Sequence, residues 1–391
     1  MTGIWAGSKK ESGLWKSVRY NLSRSVDPRV ESMFRKILLS LCLILTVAAC
    51  APQNQFVAEV EPTLTPFQPV QNTPTPLPTA TTTITSTPVP PTATAIPLPP
   101  VSEKYLPYTI YNLRTRSYGG GQIEVLKVME EKENFTRYQM RYPSDGLNIY
   151  GFVNVPKGDG PFPVIIMIHG FGWSNTSTVL GGAIDVADLL ADNGYLVLHP
   201  NMRGYPPSDD GDNLYRVGLA VDILNLIALV KGQASQPGEL ENADPARIGL
   251  WGQSLGGGVA LRVATVSEDI KAIVLYSSIS ADELKNAELF YGLTKDQSYQ
   301  TEMDTPLDVM TYISPLNYFD TISASVKLSH SIDDDVVPAA WAIETCEELK
   351  ANNIDVDCFY YFGADHTFFS GYETDFRNTM LAFFETKLKG P

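Results

Sequence analysis

Arg247-Ile248-Gly249-Leu250-Trp251-Gly252-Gln253-Ser254-Leu255-Gly256 is the stretch that decides the architecture. Arg247 to Trp251 reads as an apolar strand, and the apolar spacing from Leu255 to Val266 reads as a helix. Only a sharp turn separates them, with Ser254 at its apex and a glycine two positions away on each side. Such a turn lifts a hydroxyl above the edge of a sheet. Side chains at Gly252 and Gly256 would collide with the neighbouring strands and helix. The backbone N–H of Leu255, at the helix start, is suited to meet negative charge developing on a carbonyl oxygen. Ser254 is therefore a candidate nucleophile.

The pattern on either side is consistent with that reading. Val164-Ile165-Ile166-Met167-Ile168 is a continuous, largely β-branched run, as expected for a strand buried on both faces. A helix over 184–193, a strand over 195–198 and a helix over 217–230 follow. Beyond the elbow come a strand over 271–276, a strand over 326–329, a helix over 339–352, a strand over 355–362 and a closing helix over 371–387. Residues 281–323 interrupt this alternation with a helical insertion rich in aromatics. Residues 122–155 alternate in polarity around Asp145-Gly146, which predicts antiparallel strands at the entrance. Strands alternating with helices predict a mostly parallel sheet covered on both faces.

A serine nucleophile needs a base and an acid. Four histidines are present. His169 and His199 precede the elbow, and His330 precedes the next acidic loop. His366, in Gly363-Ala364-Asp365-His366-Thr367, is the one that follows both, as the chain order Ser, Asp, His requires. The acid lies among Asp333, Asp334 and Asp335, beyond the 326–329 strand. Both loops leave the C-terminal ends of strands, where open α/β sheets place their sites.

The segment His330-Ser331-Ile332-Asp333-Asp334-Asp335-Val336-Val337-Pro338 resembles the His-Gly-x-x-Asp-x-x-Val-Pro pattern of prolyl-oligopeptidase-like (S9) and esterase-like α/β hydrolases. The resemblance covers roughly residues 134–388, with further landmarks at 145–151, 189–195 and 201–209. It implies an α/β-hydrolase fold with an eight-stranded type of sheet, Asp334 as the acid, and the Phe171 N–H of His169-Gly170-Phe171-Gly172 as second oxyanion donor beside Leu255. Departures are Ser331 where the pattern has glycine, and Asn201 where it has aspartate. Arg203 reads most simply as a structural ion-pair partner. His169 reads as an anchor for its loop, and Phe171 and Trp173 as pocket or core residues.

The function implied is hydrolysis of ester or amide bonds in a small ester or peptide substrate, through an acyl-enzyme. A peptidase of S9 type and a carboxylesterase stay open. Leu255 stands where many of those peptidases carry tyrosine, and no glutamate pair for a substrate N-terminus is recognisable. The insertion, with Phe290, Tyr291, Tyr299, Tyr312, Tyr318 and Phe319, reads as a partial lid or as that lid's own core. A non-catalytic binding protein on the same fold is the alternative of another class. No cofactor is expected, and no metal, since no second oxygen-rich motif accompanies the three aspartates.

The rest of the chain reads differently. Residues 1–36 carry eight Lys/Arg and three Asp/Glu, whereas the whole chain is at −15. A body this acidic excludes nucleic acid, because phosphate contacts need clustered Lys and Arg. An apolar run of about a dozen residues, short for a membrane span, ends in Val47-Ala48-Ala49-Cys50. This resembles a bacterial lipobox, implying a signal segment over 1–50, a lipid on Cys50 and an exported, envelope-anchored enzyme. Met33 is an alternative start. Residues 51–102 are rich in Pro and Thr and read as an extended tether, leaving 103–391 as the catalytic domain. With Cys42 and Cys50 in the leader, Cys346 and Cys358 either pair or stay as separate buried thiols.

Overall fold

The run from Val164 to Ile168 is wholly buried and lies in the interior of a large sheet. The computed structural model describes residues 98–172, 184–368 and 371–390. The leader with Cys50, the tether up to residue 97, and Trp173 lie outside the described residues. No helix among the described residues is long and apolar enough to cross a membrane.

The strands are β1 (Glu124–Glu131), β2 (Phe135–Ser144), β3 (Leu147–Pro156), β4 (Phe162–Ile168), β5 (Leu196–Pro200), β6 (Ala243–Gln253), β7 (Ile270–Tyr276), β8 (Ser325–Ser331) and β9 (Val356–Tyr361). They form one sheet in the order β1-β2-β3-β5-β4-β6-β7-β8-β9. The first three pair antiparallel, β3 pairs antiparallel with β5, and every pair from β5 through β9 is parallel. The α/β-hydrolase fold is as expected, with one correction. Among the described residues the sheet has nine strands rather than eight.

Nine α-helices are described: α1 (Ile110–Thr115), α2 (Ile184–Asp192), α3 (Val217–Gln233), α4 (Leu255–Val266), α5 (Glu283–Thr294), α6 (Gln297–Met303), α7 (Leu307–Ile313), α8 (Ala339–Ala351) and α9 (Glu373–Phe384). Alternation along β4 divides the core. Val164, Ile166 and Ile168 pack with residues of α3 and α4, whereas Ile165 and Met167 pack with residues of α2 and α9. A period of two on a strand between two helical layers produces this split.

The chain order reverses around β4, because β5 lies on one side of it and β6 on the other. Such a reversal opens a crevice at the C-terminal ends of the strands. Ser254, the acid loop after β8 and the histidine loop after β9 all leave from that edge. The insertion is helical as expected, comprising α5, α6, α7 and a 3-10 segment, Pro315–Thr321. Cys346 on α8 and Cys358 on β9 form a disulfide, which resolves the two alternatives left by the sequence.

Candidate active site

Ser254 sits at φ 51° and ψ −117°, a strained conformation for a residue with a side chain. The strain is held from both directions. Its N–H donates to Tyr276 O at 2.9 Å, and its carbonyl accepts from Gly257 N at 3.0 Å and Ile279 N at 3.1 Å. Side chains have no room beside it. A Cβ on Gly252 would lie 2.4 Å from Gly256 O, and one on Gly256 would lie 1.9 Å from Ile168 O. The start of α4 is thereby pressed against the end of β4. Leu255, in its first turn, has an N–H with no carbonyl to meet inside the helix. The loop after β4 runs alongside, with Gly170 close enough that a Cβ there would be 3.4 Å from Ser254 Cβ.

The structure separates the three aspartates. Asp333 Oδ2 accepts from Gly363 N at 2.6 Å, and Asp335 is exposed. The Asp334 side chain is fully buried. Its Oδ1 accepts from Val336 N and Val337 N, both at 2.9 Å, and its Oδ2 from His366 Nδ1 at 2.8 Å. Burial alone would raise the Asp334 carboxyl. The bonds from His366 and the two amides outweigh it, so the group is held below the usual carboxylate range.

His366 remains partly open to solvent, at 15% of its side chain. Tyr276 donates its hydroxyl to Thr367 O, and Phe368, buried at φ 58°, packs against Tyr276 and Tyr361. Neither anchor was singled out from the sequence, although Tyr276 ends the strand beside the elbow. Ser331 gains a role through its departure from the resembling pattern. Its hydroxyl donates to Ala364 O at 2.7 Å and so ties the acid loop to the histidine loop. Among the described residues no hydrogen bond joins Ser254 to His366, an arrangement common in sites without substrate, where such bonds tighten on binding.

Behind the 169–171 loop, His169 is buried, with Nδ1 2.9 Å from Gly170 O and its ring edge-on to Tyr205 at 4.5 Å. His199 stacks near it at 5.9 Å. Burial lowers both imidazoles, and burial together with His169 takes His199 down to about 3. Both are therefore neutral props. Arg203 is paired with Asp222 at 2.8 Å, as the sequence suggested.

Phe171 is 43% exposed and leans on Phe290 at 5.3 Å, which stacks on Tyr299 at 5.4 Å. A cavity of about 660 Å³ opens there, lined by Phe171, Leu255, Tyr205, Arg216 and Tyr299 among others. Of the insertion's aromatics, Phe290 and Phe319 are core and Tyr299 reaches the cavity.

A strained serine between strand and helix, at the reversal point of this sheet, defines the α/β-hydrolase class. Within that class the chain belongs to the dienelactone hydrolase family, whose model matches residues 149–380. A candidate carboxymethylenebutenolidase of Synechocystis sp. is 23% identical over 266 residues, which are 63% of this chain and 95% of that protein. The uncomplexed acylaminoacyl peptidase of Pyrococcus horikoshii matches at 26% identity with a TM-score of 0.54, over 66% of this chain but 43% of the peptidase. Acetyl xylan esterase 1 of a Thermoanaerobacterium species shares the fold at 20% identity and a TM-score of 0.54, over 72% and 94% of the two chains. The protein is a hydrolase.

Proposed function

We propose that this hydrolase is a serine enzyme that cleaves carboxylic esters, with Ser254, His366 and Asp334 as its triad. The observation that carries the reading is the buried Asp334 bound to His366 Nδ1 at 2.8 Å, beyond the same sheet edge that presents Ser254. That bond leaves Nε2 unprotonated and able to take the Ser254 proton as Oγ attacks the ester carbonyl. The oxyanion forms between the N–H groups of Phe171 and Leu255. The ester C–O bond then breaks, His366 returns the proton to the leaving alkoxide, and an alcohol departs from an acyl-serine. Water attacks next, His366 takes its proton, and the acid is released as Ser254 regains its hydrogen.

Family membership supports an ester, since dienelactones are cyclic esters. An amide or peptide bond is the second reading, favoured by the likeness to acylaminoacyl peptidase. The test pairs p-nitrophenyl esters with matched p-nitroanilides and labels the protein with a fluorophosphonate. Turnover of short esters and an adduct on Ser254 are expected, with Ser254→Ala losing at least about a thousandfold. Anilide cleavage at comparable rates would move the reading to peptidase. A folded protein that neither turns over nor labels would be the non-catalytic binding alternative. The lipobox resemblance supports export and a lipid on Cys50. The adduct is then expected in the membrane fraction, and Cys50→Ser should release it.

A further inference from the structure

Two histidines face Asp334. Besides His366 Nδ1 at 2.8 Å, its Oδ2 lies 3.3 Å from His330 Nε2. His330 stands on β8 with a fully buried side chain, and the same Nε2 is 3.1 Å from Val337 O. An ionised carboxylate and a backbone carbonyl both lack a proton to give, so the nitrogen between them must carry one. The other ring nitrogen, Nδ1, is buried and without a partner among the described residues. His330 is thus the neutral Nε2–H tautomer, donating to Val337 O with Asp334 Oδ2 close beside the same nitrogen.

We propose that His330 is a positioning residue for the reaction: by donating to Val337 O it fixes the residue whose N–H holds Asp334 Oδ1, and its Nε2–H, 3.3 Å from Oδ2, limits how much negative charge His366 feels. This rests on the triad reading above. With Oδ1 engaged by two amides and Oδ2 by His366, the carboxylate cannot turn without losing a bond. Burial also opposes protonation of His330 and lowers its basicity, although Val337 and Asp334 pull the other way. The other titratable groups nearby are Tyr276 from β7, which feels Asp334, and Asp333, Asp335 and Asp365 along the two loops. Deleting the neutral donor leaves more carboxylate charge for His366. The acidic limb of kcat/KM should then move to higher pH, which a purely structural loss would not do.

The unaltered chain supplies the first test, since it has four histidines and their ring nitrogens can be followed by 15N NMR. His330 is expected as the neutral Nε2–H tautomer at neutral pH. The opposite tautomer, or an imidazolium at neutral pH, overturns the proposal. Kinetics supply the second. His330→Phe should lower kcat about tenfold, the scale of one hydrogen bond to a charged group, with little change in KM. Its acidic limb should rise by about half a unit. His330→Gln, whose amide can replace Nε2–H, should recover most of both. Unchanged kcat and limb in His330→Phe, or a His330→Gln as impaired as His330→Phe, overturns it. If His330→Phe does not fold, the tautomer alone decides. Absence of turnover and labelling in the unaltered chain would sink the triad reading instead, leaving the tautomer result standing.

Discussion

At Gly256 the oxygen of Ile168 lies 1.9 Å from where a Cβ would be, and backbone cannot step aside as a side-chain tip can. Gly256→Ala should therefore cost about 3 kcal/mol, the upper end of ordinary overpacking, and should misplace the Leu255 N–H. Urea unfolding and titration of fluorophosphonate-reactive sites would measure both. A variant with unaltered stability and labelling rate would refute the close-packing account. Gly252, Ser254 and Gly256 were readable from sequence because their spacing is itself the steric solution. Three neighbouring aspartates were not separable in that way. They differ in which N–H each meets, Gly363 for Asp333 and Val336 with Val337 for Asp334, and those contacts exist only once two loops have come together. Chain order singled out His366, yet the same rule set His330 aside although it touches the same carboxylate.

The insertion shows the limit of pattern reading at the level of helices. Its helical, aromatic character was evident, but its attachment was not. Arg216 reaches Glu283 at 2.6 Å and Glu302 at 2.7 Å, and Arg262 binds Glu283 and donates to Ile313 O at 2.8 Å. All four side chains are buried, and the bonded partners are 21 to 86 residues apart in the chain, beyond any helical or strand period. Burial would raise the Glu283 carboxyl, but Arg216 and Arg262 bring it below its usual value. A lowered folded value means that this stabilisation is complete above the unfolded glutamate range, near pH ~4.3, and is lost as pH falls through the folded value. Glu302 has the opposite sign, since burial pushes it up. Glu283→Gln leaves Arg262 without a carboxylate and Arg216 with Glu302 alone, and should cost about 3–5 kcal/mol at pH 7. The deficit should shrink in thermal unfolding at pH 3.5. A deficit equal at both pH values would contradict the ion-pair account.

For the molecule as a whole, the parallel half of the sheet was evident because strands buried on both faces are continuous apolar runs. The antiparallel edge was less so, since β1 is largely exposed and carries little apolar signal. Helix α1 went unseen because six residues are too few to display a period. The Cys346–Cys358 link joins α8 to the edge strand β9, which no spacing rule distinguishes from two free thiols. The Glu302–Arg216–Glu283–Arg262 network has one more consequence. An insertion pinned by four buried charges should resist swinging when it meets an oil–water boundary. Turnover of a sparingly soluble ester should follow its dissolved concentration and show no jump on passing the solubility limit. A sudden gain once droplets form would mean that the insertion lifts at lipid surfaces after all.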